Sequence, residues 1–256
     1  MVKKNVAMWS GGKDSTAMIL LMIEKGYTDF DVVFVDTGIE WPEMYDYIKK
    51  TKAVFEANGI SVRIIRGPYT WDGVFHHINI KGKTKGSIKG FPYAIGSWCT
   101  DRLKAVPMRK VKKEYRNGTQ YIGLAIDERS QKRQSRIQAY LEGNADMTNI
   151  EYPLVDFAVT EEGASAICAK WGLVNPLYSW FGRTGCWCCP KQPLAALFQI
   201  YNHEPAKWAQ LRAWQDESPV PFRADMTVHE MEEKFRTNPA KYEKMLKKRG
   251  LQPKHL

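Results

Sequence analysis

The chain has 256 residues, 44% of them hydrophobic, and a formal net charge of +10. That length suits one large domain, or one α/β domain with a smaller appendage. No apolar run reaches the ~18 residues of a membrane span, and Gly11-Gly12-Lys13-Asp14 interrupts the apolar N-terminal stretch as no signal peptide would allow, so a cytoplasmic protein with no membrane partner is expected.

Residues 5–9 read as a short buried strand, followed by a Gly-rich turn and a helix from Thr16 to Lys25 that Gly26 stops. Residues 31–35 form a second strand ending at Asp36. Pro42 opens a helix through about Ala57, closed by Asn58-Gly59, and residues 61–65 form a third strand. Strand and helix alternate with short connections, which predicts an α/β fold: a parallel sheet with helices on both faces. Ligands bind such sheets at the carboxyl ends of the strands, here marked by Ser10, Asp36 and Gly67.

Residues 67–97 read as a long Gly-rich, aromatic loop. Thr100 to Arg116 looks helical, with Pro107 kinking or restarting it. Residues 119–124 are a further strand, 125–149 a loop or short helix, and 160–171 a helix ended by Gly172. After Pro176 the composition turns aromatic and helical. A boundary near 155 is expected, giving a nucleotide-binding unit over 1–155 and a Cys-containing, helical unit over 156–256. Trp208, Trp214 and Phe222 are expected in the core of that helical unit, and His76-His77 in the packing of the long loop.

The positive charge is clustered. Lys81, Lys83, Lys85 and Lys89 form one group. Arg102, Lys104, Arg109, Lys110, Lys112 and Lys113 form a second, and Arg129, Lys132, Arg133 and Arg136 a third. Each alone could be a solvated surface; together they suit a polyanion, either a nucleotide or a nucleic acid.

Ser10-Gly11-Gly12-Lys13-Asp14-Ser15 lies between a strand and a helix. Its glycines let the backbone turn tightly and approach an anion. The helix that follows offers unpaired N–H groups and a positive dipole end. Ser10, Lys13 and Ser15 add hydroxyls and a cation, so phosphate is the expected guest. The Walker A spacing is absent. The segment instead resembles the PP-loop of the adenine nucleotide α-hydrolase superfamily. That resemblance implies cleavage of ATP between its α- and β-phosphates, release of pyrophosphate, and adenylation of a substrate. It implies catalytic roles for Lys13 and Asp14, with Asp14 organising Mg²⁺-pyrophosphate, and a contact of Asp36 with adenosine or metal.

Three more segments carry a narrower resemblance. Asp36-Thr37-Gly38-Ile39-Glu40-Trp41-Pro42-Glu43, the run Trp98 to Met108, and the loop Gly123 to Arg133 with Asp127-Glu128-Arg129 are similar to segments of the phosphoadenosine phosphosulfate reductases. They add Gly123 and Arg129 to the expected nucleotide site. Gly185-Cys186-Trp187-Cys188-Cys189-Pro190 resembles the Cys-x-x-Cys half of the cluster site in iron–sulfur members. Cys99 matches the second cysteine of their first pair, and Trp98 stands where the first would be. No cysteine follows Cys189 in this sequence, and the phosphate loop is intact. Both departures favour ATP over a sulfonucleotide and point to the thiolation branch of DNA phosphorothioation and tRNA-thiolation proteins.

Five cysteines are present, three of them within residues 186–189. Such crowding favours metal or redox chemistry over disulfides. Cys99, Cys186 and Cys189 are expected to hold a [4Fe–4S] cluster. A zinc site completed by Cys188 or His203, or simply reduced thiols, are the alternatives. Cys168 reads as a buried core thiol, and Arg183 as touching a phosphate or covering the cluster.

The expected function is an ATP- and Mg²⁺-dependent, sulfurtransferase-like enzyme. Its partners would be an adenine nucleotide, a nucleic-acid acceptor and a cysteine desulfurase or other sulfur donor, and a homo-oligomer is expected. The alternatives are a sulfonucleotide reductase using Cys188 in place of a C-terminal cysteine, and a non-catalytic nucleotide- or nucleic-acid-binding module.

Overall fold

A computed structural model describes residues 4–82, 84–92, 97–143 and 149–251. Lys83 of the first basic cluster and the chain end from 252 lie outside the described residues. In chain order the elements begin with β1 (Asn5–Trp9), α1 (Lys13–Glu24), β2 (Phe30–Val35), α2 (Pro42–Ala57), β3 (Val62–Ile65) and α3 (Trp71–Phe75). A π-helical stretch (Thr100–Ala105) runs into α4 (Val106–Glu114), then β4 (Gln120–Ile122), α5 (Gln131–Leu141), β5 (Ile150–Glu151), α6 (Pro153–Asp156) and α7 (Glu161–Lys170). The remainder is helical: α8 (Leu177–Phe181), α9 (Leu194–His203), α10 (Pro205–Glu217), α11 (Val228–Thr237) and α12 (Pro239–Lys248).

Compactness divides the chain along other lines than a single cut near 155. One unit comprises Met1–Asp36, Pro42–Arg66 and Pro107–Asn175; the other comprises Thr37–Trp41, Gly67–Val106 and Pro176–Leu256.

The first unit is the α/β layer structure that the alternation predicts. Its five strands are all parallel, in the order β3-β2-β1-β4-β5. The chain winds one way from β1 to β3 and the other way from β4 to β5. The strand order therefore reverses between β1 and β4, where doubly wound sheets bind ligands. Side chains alternate across the sheet. Val6 and Val33 pack with Val111 and Tyr115 of the α4 region, joined by Met8 and Ile65. Trp9 packs edge-on against Phe34 and against Phe55 of α2. Helix α1 is buried continuously from Ser15 to Met22, and α6 and α7 pack against it. That enclosure explains its apolar residues on every side. Tyr115 donates to buried Asp31 at 2.7 Å. Burial and Asp31 together push the tyrosine up to about 12.

Several local departures have physical reasons. Helix α1 begins at Lys13 rather than Thr16, because the glycines end at Gly12 and nothing later resists helix. The expected helix over 100–116 starts as a π turn and becomes regular at Val106. Pro107 supplies no N–H, and an irregular turn ahead of it accommodates that loss. The 67–97 segment contains α3 and an antiparallel bridge between Ile78 and Ile88. The polar 125–149 segment contains α5, and β5 is two residues long, too short to show periodicity.

The second unit is helical and aromatic. Trp71, Trp98, Trp187, Phe75 and Phe91 gather around or beside Trp214. Trp208, Trp214 and Phe222 are buried, as expected of core residues. His76 bridges Asp72 and Glu217, tying α3 to α10. No helix among the described residues is long and apolar enough to cross a membrane.

Candidate nucleotide site and cysteine group

The phosphate-loop residues follow β1 directly. Gly11 has φ +72°, a left-handed conformation that glycine adopts without strain. A β-carbon there would also fall 2.7 Å from Met44 Sδ. Gly12 caps α1 in an extended conformation with no side-chain hydrogen bond to the first turn. The leading N–H groups of α1 are therefore not taken by a capping side chain. Ser15 Oγ donates to the Gly12 carbonyl at 3.0 Å and accepts from the Ser10 N–H at 3.1 Å, which closes the loop on itself. Ser10 Oγ lies 3.0 Å from Ser15 Oγ and accepts from the Gly12 N–H at 3.3 Å. Lys13 Nζ sits 2.5 Å from Asp14 and 3.6 Å from Glu161.

Two residues that the sequence did not mark as part of this loop hold it in place. Asn175 donates to the Gly11 carbonyl at 3.0 Å and to Met44 Sδ at 3.5 Å, both buried. Cys168 donates to the Lys13 carbonyl at 3.4 Å. Burial and Asp14 push that thiol up to about 11, as befits a core cysteine. No local pattern announces either contact, since both partners lie more than 150 residues away in sequence.

Gly123 stands at the end of β4, on the other side of the switch point. A β-carbon on it would come within 2.7 Å of the Asp14 carbonyl and of the Ser15 backbone. Only glycine lets β4 approach the first turn of α1 so closely. Asp36 follows β2 and is buried at 8% exposure. It accepts from Tyr45 at 3.0 Å and pairs with Arg66, whose guanidinium it holds more firmly protonated. In the loop after β4, Asp127 accepts from the Glu161 N–H at 2.7 Å at the start of α7. Glu128 is buried and pairs with Arg133 at 2.7 Å. Burial works to raise its carboxyl, but Arg133 and the Ser130 N–H outweigh it and the net shift is downward. Arg129 is exposed. Ser10 to Ser15, Asp36 and Gly123 thus share the carboxyl edge of the sheet.

The cysteines predicted as ligands lie in the second unit. Thr37 Oγ1 donates to Glu40 at 2.8 Å, and Cys186 Sγ lies 3.6 Å from Glu40 and 3.7 Å from Thr37. Burial and the Glu40 carboxylate push Cys186 up to about 12, with Lys104 acting the other way. Cys99, ahead of the π turn, is raised by burial and by Cys189. Desolvation works against the charge on Lys104, but Cys186, Glu40, Cys189 and Cys99 outweigh it and raise its proton affinity. Cys99, Cys186 and Cys189 therefore all favour the charge on one ammonium. Arg183 donates to Cys189 Sγ at 3.6 Å. The turn itself is pinned by Gln192, which donates to the carbonyls of Cys186 and Trp187. Arg223 holds Pro190 and Gln192 in the same way.

Among the described residues, no three His, Cys, Asp or Glu side chains converge on a point where they could hold one metal ion. His203, the alternative zinc ligand, lines a cavity of about 800 Å³ with Phe198, Asn202, Glu243 and Leu246. Thr37, Glu40 and Lys104 were not singled out from the sequence for the cysteine group, although all three lie within the segments quoted for the resemblance.

The model of the phosphoadenosine phosphosulfate reductase domain matches residues 4–192. This chain belongs to the phosphoadenosine phosphosulfate reductase domain family. Within the family's reach, two uncharacterized proteins of Methanocaldococcus jannaschii are similar to it. One is 26% identical over 81% of this chain and 40% of its own length; the other is 25% identical over 81% and 48%. An uncharacterized nin region protein of Escherichia phage lambda is 30% identical over 48% of this chain and 49% of its own length. The chain spans less than half the length of these curated relatives. A crystal structure of phosphoadenylyl-sulfate reductase from Candida auris, a phosphate complex, superposes with a TM-score of 0.46 at 14% identity. That superposition covers 72% of this chain and 81% of the other.

Proposed function

We propose that this member of the family binds ATP with Mg²⁺ at Ser10–Ser15 and adenylates an acceptor, releasing pyrophosphate, so that a sulfur nucleophile can then displace AMP. The observation that carries this reading is the complete six-residue loop at the strand-order reversal, with Gly123 pressed against the first turn of α1. Backbone N–H groups at a helix's first turn suit phosphate oxygens. In the first step an acceptor oxygen attacks the α-phosphorus. The new O–P bond forms as the bond to the β-phosphate oxygen breaks, and pyrophosphate leaves with the electron pair. Lys13 would turn from Asp14 and Glu161 toward that developing charge, and Asp14 would be released to the Mg²⁺ that accompanies the nucleotide. Asp36 and Arg129 would contact the nucleotide at the same edge. In the second step a hydrosulfide, released from the persulfide of a cysteine desulfurase or another donor by a thiol reductant, bonds to the activated centre with loss of its proton, and AMP departs with its oxygen and the electron pair.

Cys99, Cys186 and Cys189 would hold a [4Fe–4S] cluster, which supplies an iron with an open position. The donor chemistry is compatible, since soft thiolates suit iron–sulfur clusters. Lys104 would offset the negative charge that three thiolates bring, and Thr37 and Glu40 would orient Cys186.

A reductase using Cys188 as nucleophile is not favoured. Cys188 is 0% exposed. Burial and the neighbouring Cys186 raise its thiol well above the ordinary value, whereas the thiolate is the reactive form.

The test is calorimetric titration with ATP and Mg²⁺, with pyrophosphate release followed in parallel. Asp14→Ala is expected to weaken binding about tenfold or more, a loss of about 1.4 kcal/mol. Wild-type protein that binds no ATP would overturn the reading.

A further inference from the structure

Helix α5 and the two residues before it carry a run of cations with no acid among them. From Arg129 to Leu141 the sequence carries Arg129, Lys132, Arg133 and Arg136 and no acid. Residues 129 to 136 are all exposed. The helix is anchored through Ile137, which is buried with Leu124, Tyr152 and Val155. Helices α2 and α11 pair charges internally, Lys52 with Glu56 and Arg236 with Glu233, and the other basic helices, α4 and α12, each include a glutamate, Glu114 and Glu243. On α5 the one neutralised cation is Arg133, held by Glu128. No carboxylate pairs with Arg129, Lys132 or Arg136 among the described residues. Lys132 and Arg136 are like charges at i and i+4, an arrangement that weakens an isolated helix. A surface that tolerates such repulsion is complementary to a polyanion.

The spacing and the place narrow the partner. Lys132 to Arg136 spans about 6 Å along the helix axis, close to two nucleotide steps of one strand at about 3.4 Å each. Gln131, Gln134 and Gln138 add side-chain amides among the cations, the mixture that meets both phosphates and base edges. Helix α5 follows β4 by way of residues 123–130, so it starts from the same carboxyl edge of the sheet as Ser10–Ser15.

We infer that the exposed basic side of α5 is a docking surface for the sugar–phosphate backbone of a nucleic acid, which it delivers to the phosphate-loop edge as the acceptor. The second half of this statement rests on the adenylation reading above; the docking surface does not. A positioned phosphate backbone is gripped through Lys132 and Arg136. Arg133, tied to Glu128, keeps the loop before the helix in register.

The decisive experiment compares wild type with the double variant Lys132→Gln, Arg136→Gln. Binding of a labelled DNA duplex and of a labelled single-stranded RNA of equal length is measured across a salt series, alongside ATP binding. Loss of two phosphate contacts should reduce the slope of log affinity against log salt by about 1.8 for the duplex or about 1.4 for the single strand. ATP binding should be unchanged, because neither residue belongs to the phosphate loop. The inference is overturned if wild type binds neither nucleic acid, if the double variant keeps the full salt slope, or if poly-glutamate displaces the nucleic acid as effectively as unlabelled competitor. Absent ATP binding with an altered salt slope would remove the adenylation reading and leave the docking surface standing.

Discussion

Asn175 Nδ2 donates a 3.0 Å hydrogen bond to the Gly11 carbonyl oxygen, joining residues 164 positions apart. The acceptor is buried and belongs to the turn that presents the phosphate loop. Asn175→Ala should leave that carbonyl short of a partner and destabilise the fold by about 1–3 kcal/mol. ATP affinity should fall as well, because Gly11 loses a fixed position. Denaturant titration and calorimetry check the two effects. Full stability and affinity in the variant would show that the bond is dispensable.

Gly123→Ala tests the close approach of β4 to α1. Its new methyl group meets backbone atoms at 2.7 Å, and backbone cannot swing aside as a side-chain tip does. Overpacking of this kind costs about 1–3 kcal/mol. The displaced atoms belong to Asp14 and Ser15, so nucleotide binding should suffer more than global stability. A melting curve beside an ATP titration separates the two. An unchanged ATP affinity would remove Gly123 from the site.

The cysteine group makes a compositional prediction. Protein purified without oxygen should contain iron and acid-labile sulfide. Cys99→Ser, Cys186→Ser and Cys189→Ser should each lose them. Cys168→Ser should retain them, since its thiol is committed to the Lys13 carbonyl in the other unit. Stoichiometric zinc in the wild type would defeat the cluster assignment.

His76 predicts a pH dependence. Burial works to lower its proton affinity, but hydrogen bonds to Glu217 and Asp72 outweigh it and the net shift is upward. A histidine raised on folding adds stability that is complete below its ordinary value of about 6.5. That stability is lost as pH rises through the folded value. The melting temperature of wild type should exceed that of His76→Gln in mild acid, with the gap closing above neutrality. The side chain is 37% exposed, so the whole effect should stay below about 1 kcal/mol. A gap that widens with pH would contradict the assignment.

Much of this was legible in the sequence because local chemistry enforces it. Val-rich strands, Pro42 at a helix start and Gly26 at a helix end leave little choice, and the parallel sheet follows from their alternation. The turn into α1 was legible because Gly11 and Gly12 have few other uses between a strand and a helix. What the sequence did not disclose depends on distant partners. Helix α5 is polar on most sides, and one buried residue, Ile137, holds it against Leu124 and Tyr152. The two residues of β5 exist as a strand because Gln120 and Tyr121 lie beside them in register. Thr37 and Glu40 join Cys186 through contacts that no spacing rule encodes.

The enclosure of α1 has a consequence for how the protein is made. Helix α1 is synthesised before α6, α7 and Asn175, which cover it and fix its loop and come about 140–160 residues later. At roughly 5–20 residues per second, its apolar surface stays uncovered for roughly 7–32 s in each round of synthesis. Nascent chains stalled before residue 175 should therefore be strong clients of chaperones that bind exposed apolar helices, and release should coincide with the emergence of that asparagine.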